Sequence, residues 1–347
     1  MQAAGVRPVV DSRSLAVVGL VEVLRHLPRI WREFRKLDRA AQTGSPDVAV
    51  LTDAPDFHLR LARRLRRQGI PVIYLVAPQF WAWRQGRVRK MPAVIDRLLC
   101  IFPFEEEFFA KHGVPATYIG HPLTRIIKPL LTRNEFCARF NLPTDRPIVA
   151  LLPGSRHGEL ERHMPALLDA VERIAARHRV TFVLSLPPGF GAEKARFWER
   201  VRAASIQVME GATWETLAQA ELALSKSGTV TVEAALLGVP MVTFYRLNAL
   251  TWMLGRRLVR APFLSMVNLI AGRRVVPELI QSEMTGERIA AEALRLLEDE
   301  NARSAMRSGL AEVAGKLGSG GDPMEIAADW VEKVYGAQSS EETTPVR

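Results

Sequence analysis

The chain has 347 residues, 48% hydrophobic and 24% charged, a globular composition long enough for two ordinary domains and unlike a disordered or fibrous chain. Lys and Arg number 47 against 37 Asp and Glu, and the net charge of +10 asks for an anionic partner: nucleic acid, an anionic membrane surface or a phosphorylated substrate. Two cysteines exclude a disulfide framework, no apolar run reaches the ~18 residues of a transmembrane helix, and the start lacks a signal-peptide layout, so a cytosolic protein is expected.

Leu15 to Arg39 joins an apolar face, including Val18, Leu20, Val21, Leu24, Leu27 and Trp31, to many basic residues. Two readings fit it: an interfacial helix on an anionic membrane, or a core-packed helix with a solvated basic face. Short β-branched runs then alternate with amphipathic segments, the pattern of parallel strands joined by helical crossovers. Strands are predicted at Asp47 to Thr52, Pro71 to Val76, Arg97 to Phe102 and Ala116 to Ile119. The domain linker is expected within Arg125 to Arg146, with Pro129 and NLPTDRP, or just before it. The alternation restarts at Pro147 to Leu152, Val180 to Leu184, Ile206 to Met209, Glu221 to Leu224 and Val239 to Phe244, and helices follow around 287–298, 302–317 and 323–335.

The fold class is therefore α/β, with two doubly wound, Rossmann-like domains facing across a cleft, residues 1–143 and 144–335, and a disordered tail at 336–347. Cys100 and Cys137 stand alone and read as inert thiols.

Ligands of open α/β sheets bind outside the carboxyl ends of the strands. The strand PIVALL runs into Pro153-Gly154-Ser155-Arg156, where Gly154 permits close backbone approach, Ser155 can cap the next helix and Arg156 offers a fork of donors to a diphosphate. A capped helix with a solvated Arg fits the same tetrapeptide. ELAL leads into Ser225-Lys226-Ser227-Gly228-Thr229 and a helix start, a ready anion site. Glu233, one turn on, suits a ribose diol or, more blandly, the helix dipole.

In the first half, Asp53 at a strand end is the candidate general base, and Asp56 is placed as an N-cap or a second functional carboxylate. Trp83, Arg84 and Arg87 lie in an aromatic and basic loop suited to a phosphorylated substrate or to ordinary core packing; no nucleic-acid module accompanies them. No H-E-x-x-H, D-x-D or Cys/His cluster suggests a metal, and no cofactor motif is present.

VVGLVEVLRHLPRI, TDAPDFHLRLARRLRRQGIP, WAWRQGRV, FPFEEEFFAKHGVPATYIGHPL, LLPGSR, SGTVTVEAALLGVPMV and NLIAGRRVVPELIQ together resemble the lipid-A-disaccharide synthase family, in order along nearly the whole chain. The resemblance implies an inverting GT-B glycosyltransferase, peripheral on the cytoplasmic face of the inner membrane. It would join UDP-2,3-diacylglucosamine to 2,3-diacylglucosamine 1-phosphate without metal or cofactor. It places Arg156, Ser227, Gly228, Thr229 and Glu233 around UDP, Asn268, Glu278 and Gln281 on the donor side, and Asp53 as the base for the acceptor 6-hydroxyl.

His58 and Lys226 depart from the family pattern, which usually has an amide and a small residue there. Met1-Gln2-Ala3-Ala4-Gly5 aligns with an internal stretch of the family, so the family's opening strand and G-E-x-S-G-D loop are expected upstream of it in the natural product. Two other readings are an inactive lipid- or nucleotide-binding remnant and a UDP-sugar transferase acting on another lipid-linked acceptor.

Overall fold

A computed structural model of the chain describes residues 5–10, 20–83, 85–191, 196–248, 252, 253, 255, 259 and 261–341. It contains two compact units, Met1–Gly120 with Ser319–Arg347, and His121–Gly318.

The first unit begins with helix α1 (Leu20–Gly44), followed by β1 (Ala49–Thr52), α2 (Pro55–Arg67), β2 (Val72–Leu75), a 3-10 turn (Gln85–Lys90), β3 (Arg97–Cys100), α3 (Pro103–Ala110) and β4 (Ala116–Tyr118). The four strands are parallel in the order β1-β2-β3-β4. Val72, Ile73 and Tyr74 are fully buried, as the continuous apolar run of an interior parallel strand requires. β1 lies at the sheet edge and alternates instead: Leu51 is buried, Val50 exposed. In α2, Leu61, Ala62 and Leu65 face the core, and Arg64, Arg66 and Arg67 sit in the last turn, where cations suit the helix dipole.

The second unit carries α4 (Leu123–Ile126), α5 (Arg133–Phe140), β5 (Ile148–Leu152), α6 (His157–Ala175), β6 (Thr181–Leu186), α7 (Trp198–Ala203), β7 (Gln207–Glu210), α8 (Thr213–Ala218), β8 (Ala220–Lys226), α9 (Thr229–Leu236), β9 (Met241–Tyr245), α10 (Met266–Ala271), β10 (Glu278–Ile280), α11 (Gly286–Glu298) and α12 (Glu300–Leu317). Its six parallel strands run β10-β9-β8-β5-β6-β7. The order therefore reverses between β5 and β8, and this is where a doubly wound sheet opens a crevice. Leu160, Met164, Leu167, Val171 and Ile174 of α6 recur every three or four residues and are buried.

The predicted linker folds with the second unit, which begins at His121 instead of 144. Phe136 and Cys137 of α5 join Ile148, Val183 and Met209 in one apolar cluster, and the Arg133 guanidinium donates to the carbonyls of Gln219 and Arg146. Helix α13 (Pro323–Glu341) returns to the first unit, where Trp330 packs its ring 4.0 Å from the Arg97 guanidinium carbon. It continues through 336–341, expected as disordered tail, because extending a formed helix costs less than starting one; 342–347 lie outside the described residues. β10 is three residues long, too short to leave a periodic signal. Cys100 and Cys137 are both buried and unpaired to each other.

Candidate active site

At the reversal in the second sheet, a cavity of about 330 Å³ is lined by residues from the ends of β5, β6 and β8 and the first turns of α8 and α9. Gly154, with φ +134°, turns the chain out of β5, and a Cβ there would lie 2.5 Å from Glu159 Oε2. The helix α6 that follows is capped differently from the sequence reading. Arg156 is the N-cap residue and its side chain makes no cap bond. Ser155 is no cap either; instead its amide donates to Glu159 Oε2 at 3.1 Å, so a third-position acid reaches back over the turn.

Glu159 is buried. It also faces Lys226 Nζ at 3.3 Å and Arg156 at 3.8 Å. Burial opposes its ionisation, but Lys226, the Ser155 amide and Arg156 outweigh it and hold its carboxyl below the ordinary range. Arg156 itself is 65% exposed at the side chain, an outward-reaching donor beside the cavity.

His163, fully buried, pins this turn to the end of β9: its Nδ1 donates to Pro153 O (2.6 Å) and its Nε2 accepts from the Arg246 amide (3.2 Å). A carbonyl can only accept and an amide only donate, so the ring is the neutral Nδ1–H tautomer. Burial is the main reason its pKa is depressed.

On the β8 side, Gly228 is the N-cap of α9 and Thr229 its exposed first residue. Ser227 is turned inward, its hydroxyl donating to Leu264 O at 2.8 Å. Glu233 accepts from Trp214 Nε1 at 3.2 Å; burial raises its pKa and this bond tempers the rise. Ser185 and Thr213 share a hydroxyl hydrogen bond at 2.9 Å on the same cavity wall.

The residues expected on the donor side from NLIAGR and PELIQ form a separate internal network. Asn268 is fully buried, its amide nitrogen donating to Val276 O and Glu278 Oε1 and its oxygen accepting from the Val275 and Val276 amides. Glu278 also accepts from the Leu264 and Ser265 amides at the start of α10. Both therefore brace the 264–278 loop, including the carbonyl that holds Ser227, in place of lining the cavity. Gln281, at φ +55°, accepts the Arg246 guanidinium on its carbonyl.

In the first unit, Asp53 (φ 54°) and Ala54 (φ 39°) are successive left-handed residues at the end of β1, and Val76 (φ 69°) repeats the conformation after β2. Non-glycine residues hold it only where surrounding bonds over-determine it. Here the Asp53 carbonyl accepts from Tyr74 Oη (2.5 Å) and from His58 Nδ1 (2.9 Å). Burial, followed by the Asp53 charge, pushes the Tyr74 phenol well above its ordinary range, so it stays a donor.

The N-cap of α2 is Ala54, not Asp56. Pro55 occupies the first helical turn, and Asp56 pairs outward with Arg87 at 2.6 Å. Arg87 also lies over the Phe80 ring (4.8 Å) and, with Arg60, Arg63 and Lys90, surrounds a cavity of about 220 Å³. On the other side of Pro55 and Asp56, Leu27, Ile30, Trp31 and Phe34 of α1 meet Phe57 in an apolar groove of about 480 Å³.

Of the proposed membrane residues, Leu27 and Trp31 are exposed, 46% and 48%. Leu20, Val21 and Leu24 are described in backbone only, and Val18 and Arg84 lie outside the described residues. Trp83 is exposed, while Trp81 is core, its Nε1 donating to buried Glu105 at 3.0 Å.

Glu159, His163, Trp214 and Tyr74 were missed by the sequence reading. Glu159 alone had a local signal, an acid three residues after Arg156; the others reach their partners only through the fold. Among the described residues no His, Cys, Asp or Glu cluster suits a metal, and no helix is long and apolar enough to cross a membrane.

Two parallel α/β units with a crevice at a strand-order reversal define a GT-B-type fold. Solved structures share it at low identity: a Staphylococcus aureus MnaA–UDP co-structure (TM-score 0.62, 13% identity, 94% of this chain and 83% of that one) and a spinosyn rhamnosyltransferase complexed with thymidine diphosphate (0.56, 14%, 87% and 78%). The family model for lipid-A-disaccharide synthetase matches residues 1–317, and the lipid-A-disaccharide synthase of Solibacter usitatus is 60% identical over 317 residues, 91% of this chain and 83% of that protein. A second, from Geobacter metallireducens, is 42% identical over 94% of this chain and 85% of its own length. The chain belongs to the lipid-A-disaccharide synthase family.

Proposed function

We propose that the protein transfers 2,3-diacylglucosamine from its UDP donor to 2,3-diacylglucosamine 1-phosphate, with inversion, giving the β-1,6-linked disaccharide 1-phosphate and UDP. The observation that carries the donor half is the cavity at the β5/β8 reversal, where the Gly154–Arg156 turn, the start of α9 and Glu233 meet. In this reading the amides at Gly228 and Thr229 and the Arg156 guanidinium take the diphosphate, and Glu233 takes the ribose.

Asp53 in the first unit takes the proton of the acceptor 6-hydroxyl as that oxygen bonds to the anomeric carbon. The carbon–oxygen bond to the diphosphate breaks with its electron pair staying on UDP. Arg87, paired with Asp56 and flanked by Arg60, Arg63 and Lys90, suits the acceptor phosphate, and the apolar groove of Leu27, Ile30, Trp31 and Phe34 suits acyl chains. The same groove and the basic face of α2 support contact with an anionic membrane surface on the cytoplasmic side.

The deciding experiment measures UDP release from the two acylated sugars. Release that requires both sugars and yields a disaccharide is expected. Hydrolysis without the acceptor, or no turnover in protein that binds both sugars, would sink the reading.

A further inference from the structure

We propose that Lys226 is the residue by which this chain tells a nucleoside diphosphate from a monophosphate, its ammonium contacting the terminal phosphate. The inference rests on the reading of the β5/β8 cavity as a nucleotide-sugar site, and it assigns a residue that the residues above leave with no ligand.

Lys226 ends β8 at the reversal and lines the cavity, with a side chain only 19% exposed. Among the described residues its acidic partner is Glu159, at 3.3 Å. An ammonium has three donors, and one contact of that length leaves two available to a group bound in the cavity. The stem of the side chain lies across the start of α9: a Cβ placed on Gly228 would be 3.1 Å from both Cε and Nζ. The absence of a side chain at Gly228 is what lets the lysine rest there.

That places a cation beside the positive end of a helix, the wrong sign for the helix dipole. Charge balance with Glu159 does not require such a position, since the ammonium could meet the carboxylate from the solvent side, where Arg156 already approaches it. A bound anion between the ammonium and the α9 amides reverses the sign of the interaction and satisfies both. In the proposed reading Glu233, one turn into α9 and lining the same cavity, receives the nucleoside end, which assigns the phosphate farther from the ribose to Lys226.

The test is calorimetric titration of the full chain with UDP and with UMP. Replacing Lys226 alone would leave Glu159 buried without its partner, so the informative variant is K226M/E159Q, which removes both charges. Because Glu159 also holds the Ser155 amide and faces Arg156, E159Q alone is the reference, and the weakening of K226M/E159Q beyond it belongs to the lysine. Wild type is expected to prefer UDP to UMP by about tenfold or more, the double variant to lose about tenfold in UDP affinity relative to E159Q with UMP changed less than about threefold, and K226R to keep the preference. UDP affinity in the double variant undiminished relative to E159Q, or equal losses for UDP and UMP, overturns the role of Lys226. Wild type that binds no UDP overturns the nucleotide reading of the cavity itself.

Discussion

The two units solve the same problem, bringing backbone and carboxylates together at the end of a parallel strand, by opposite means. In the second unit glycine supplies the unusual backbone, at Gly154, and a buried acid is balanced by Lys226. In the first unit Asp53, Ala54 and Val76 hold left-handed backbone without glycine; Tyr74 and His58 bond the Asp53 carbonyl, and the Val76 amide donates to Leu99 O. Glycine costs order in the unfolded chain, whereas a left-handed alanine costs strain in the folded one. Strain is the more local of the two, and it falls where the general base is proposed.

The largest effect expected from breaking this contrast is at Asp53. Asp53→Asn keeps the side-chain shape and removes the proton acceptor, so the rate of UDP release at saturating substrates should fall about 10²–10⁴-fold with the melting temperature unchanged. A rate within threefold of wild type would remove Asp53 from the chemistry. Next is Gly154→Ala, which combines a φ of +134° with a Cβ 2.5 Å from Glu159 Oε2. Urea unfolding should show a loss of about 1–3 kcal/mol, together with weaker UDP binding. The mirror change, Ala54→Gly, relieves strain about as much as it loosens the unfolded chain and should move stability by less than about 1 kcal/mol.

The units should also answer pH in opposite directions. In the first, burial pushes Glu105 from 4.5 up to about 8, against the opposing pull of its bonds from Trp81 and the Phe102 amide. A raised carboxyl stabilises the fold below the unfolded pKa, and that contribution is lost as pH rises from about 4.5 to about 8. In the second, burial lowers His121 from 6.5 to about 4 and depresses His163 as well. Their contribution is present above about 6.5 and is lost as pH falls toward 4; Glu159 acts in the same sense and Glu233 against it. Hydrogen exchange at pH 8 and pH 5, corrected for intrinsic rates, should show protection rising in β2 and β3 and falling in β5 and β8. Glu105→Gln should flatten the first response and leave the second; parallel responses in both units would refute the assignment.

The sequence was legible where a signal repeats. Nine strands were placed within a few residues, because parallel strands are apolar throughout and their helices periodic; that the two glycine-containing strand ends lie at the sheet's reversal follows only from the strand order. Asp53 and Glu233 could be singled out because each follows a strand at a readable distance. Capping was read less well. Ser155 and Asp56 are the residue types that cap helices, yet Glu159 reaches back in one case and Ala54 takes the position in the other, choices fixed by backbone dihedrals that residue type does not encode. Asn268 and Glu278 look like ligand residues in one dimension and fold into a closed set of internal hydrogen bonds. His163, Tyr74 and Trp214 act on partners 10 to 83 residues away, which only the sheet order brings near.

A more modest effect than that at Asp53 tests a device the units share. Each has an indole N–H donating to a glutamate withdrawn from solvent: Trp81 to buried Glu105 at 3.0 Å in the first, Trp214 to half-buried Glu233 at 3.2 Å in the second. In both, burial raises the carboxyl pKa and the indole restrains it. Glu105 lies under the core and Glu233 on the wall of a cavity, so the same bond should have different consequences. Trp214→Phe removes a bond of about 0.5–1.5 kcal/mol, and UDP affinity should weaken by about two- to tenfold. In the proposed reading the ionised Glu233 carboxylate takes the ribose, and the lost bond lets Glu233 titrate higher, so the deficit should be greater near pH 5 than near pH 8. Trp81→Phe should lower the melting temperature and leave UDP affinity unchanged at both pH values. If the two variants instead weaken UDP equally, Glu233 is a packing acid like Glu105, and the ribose must be held by another group.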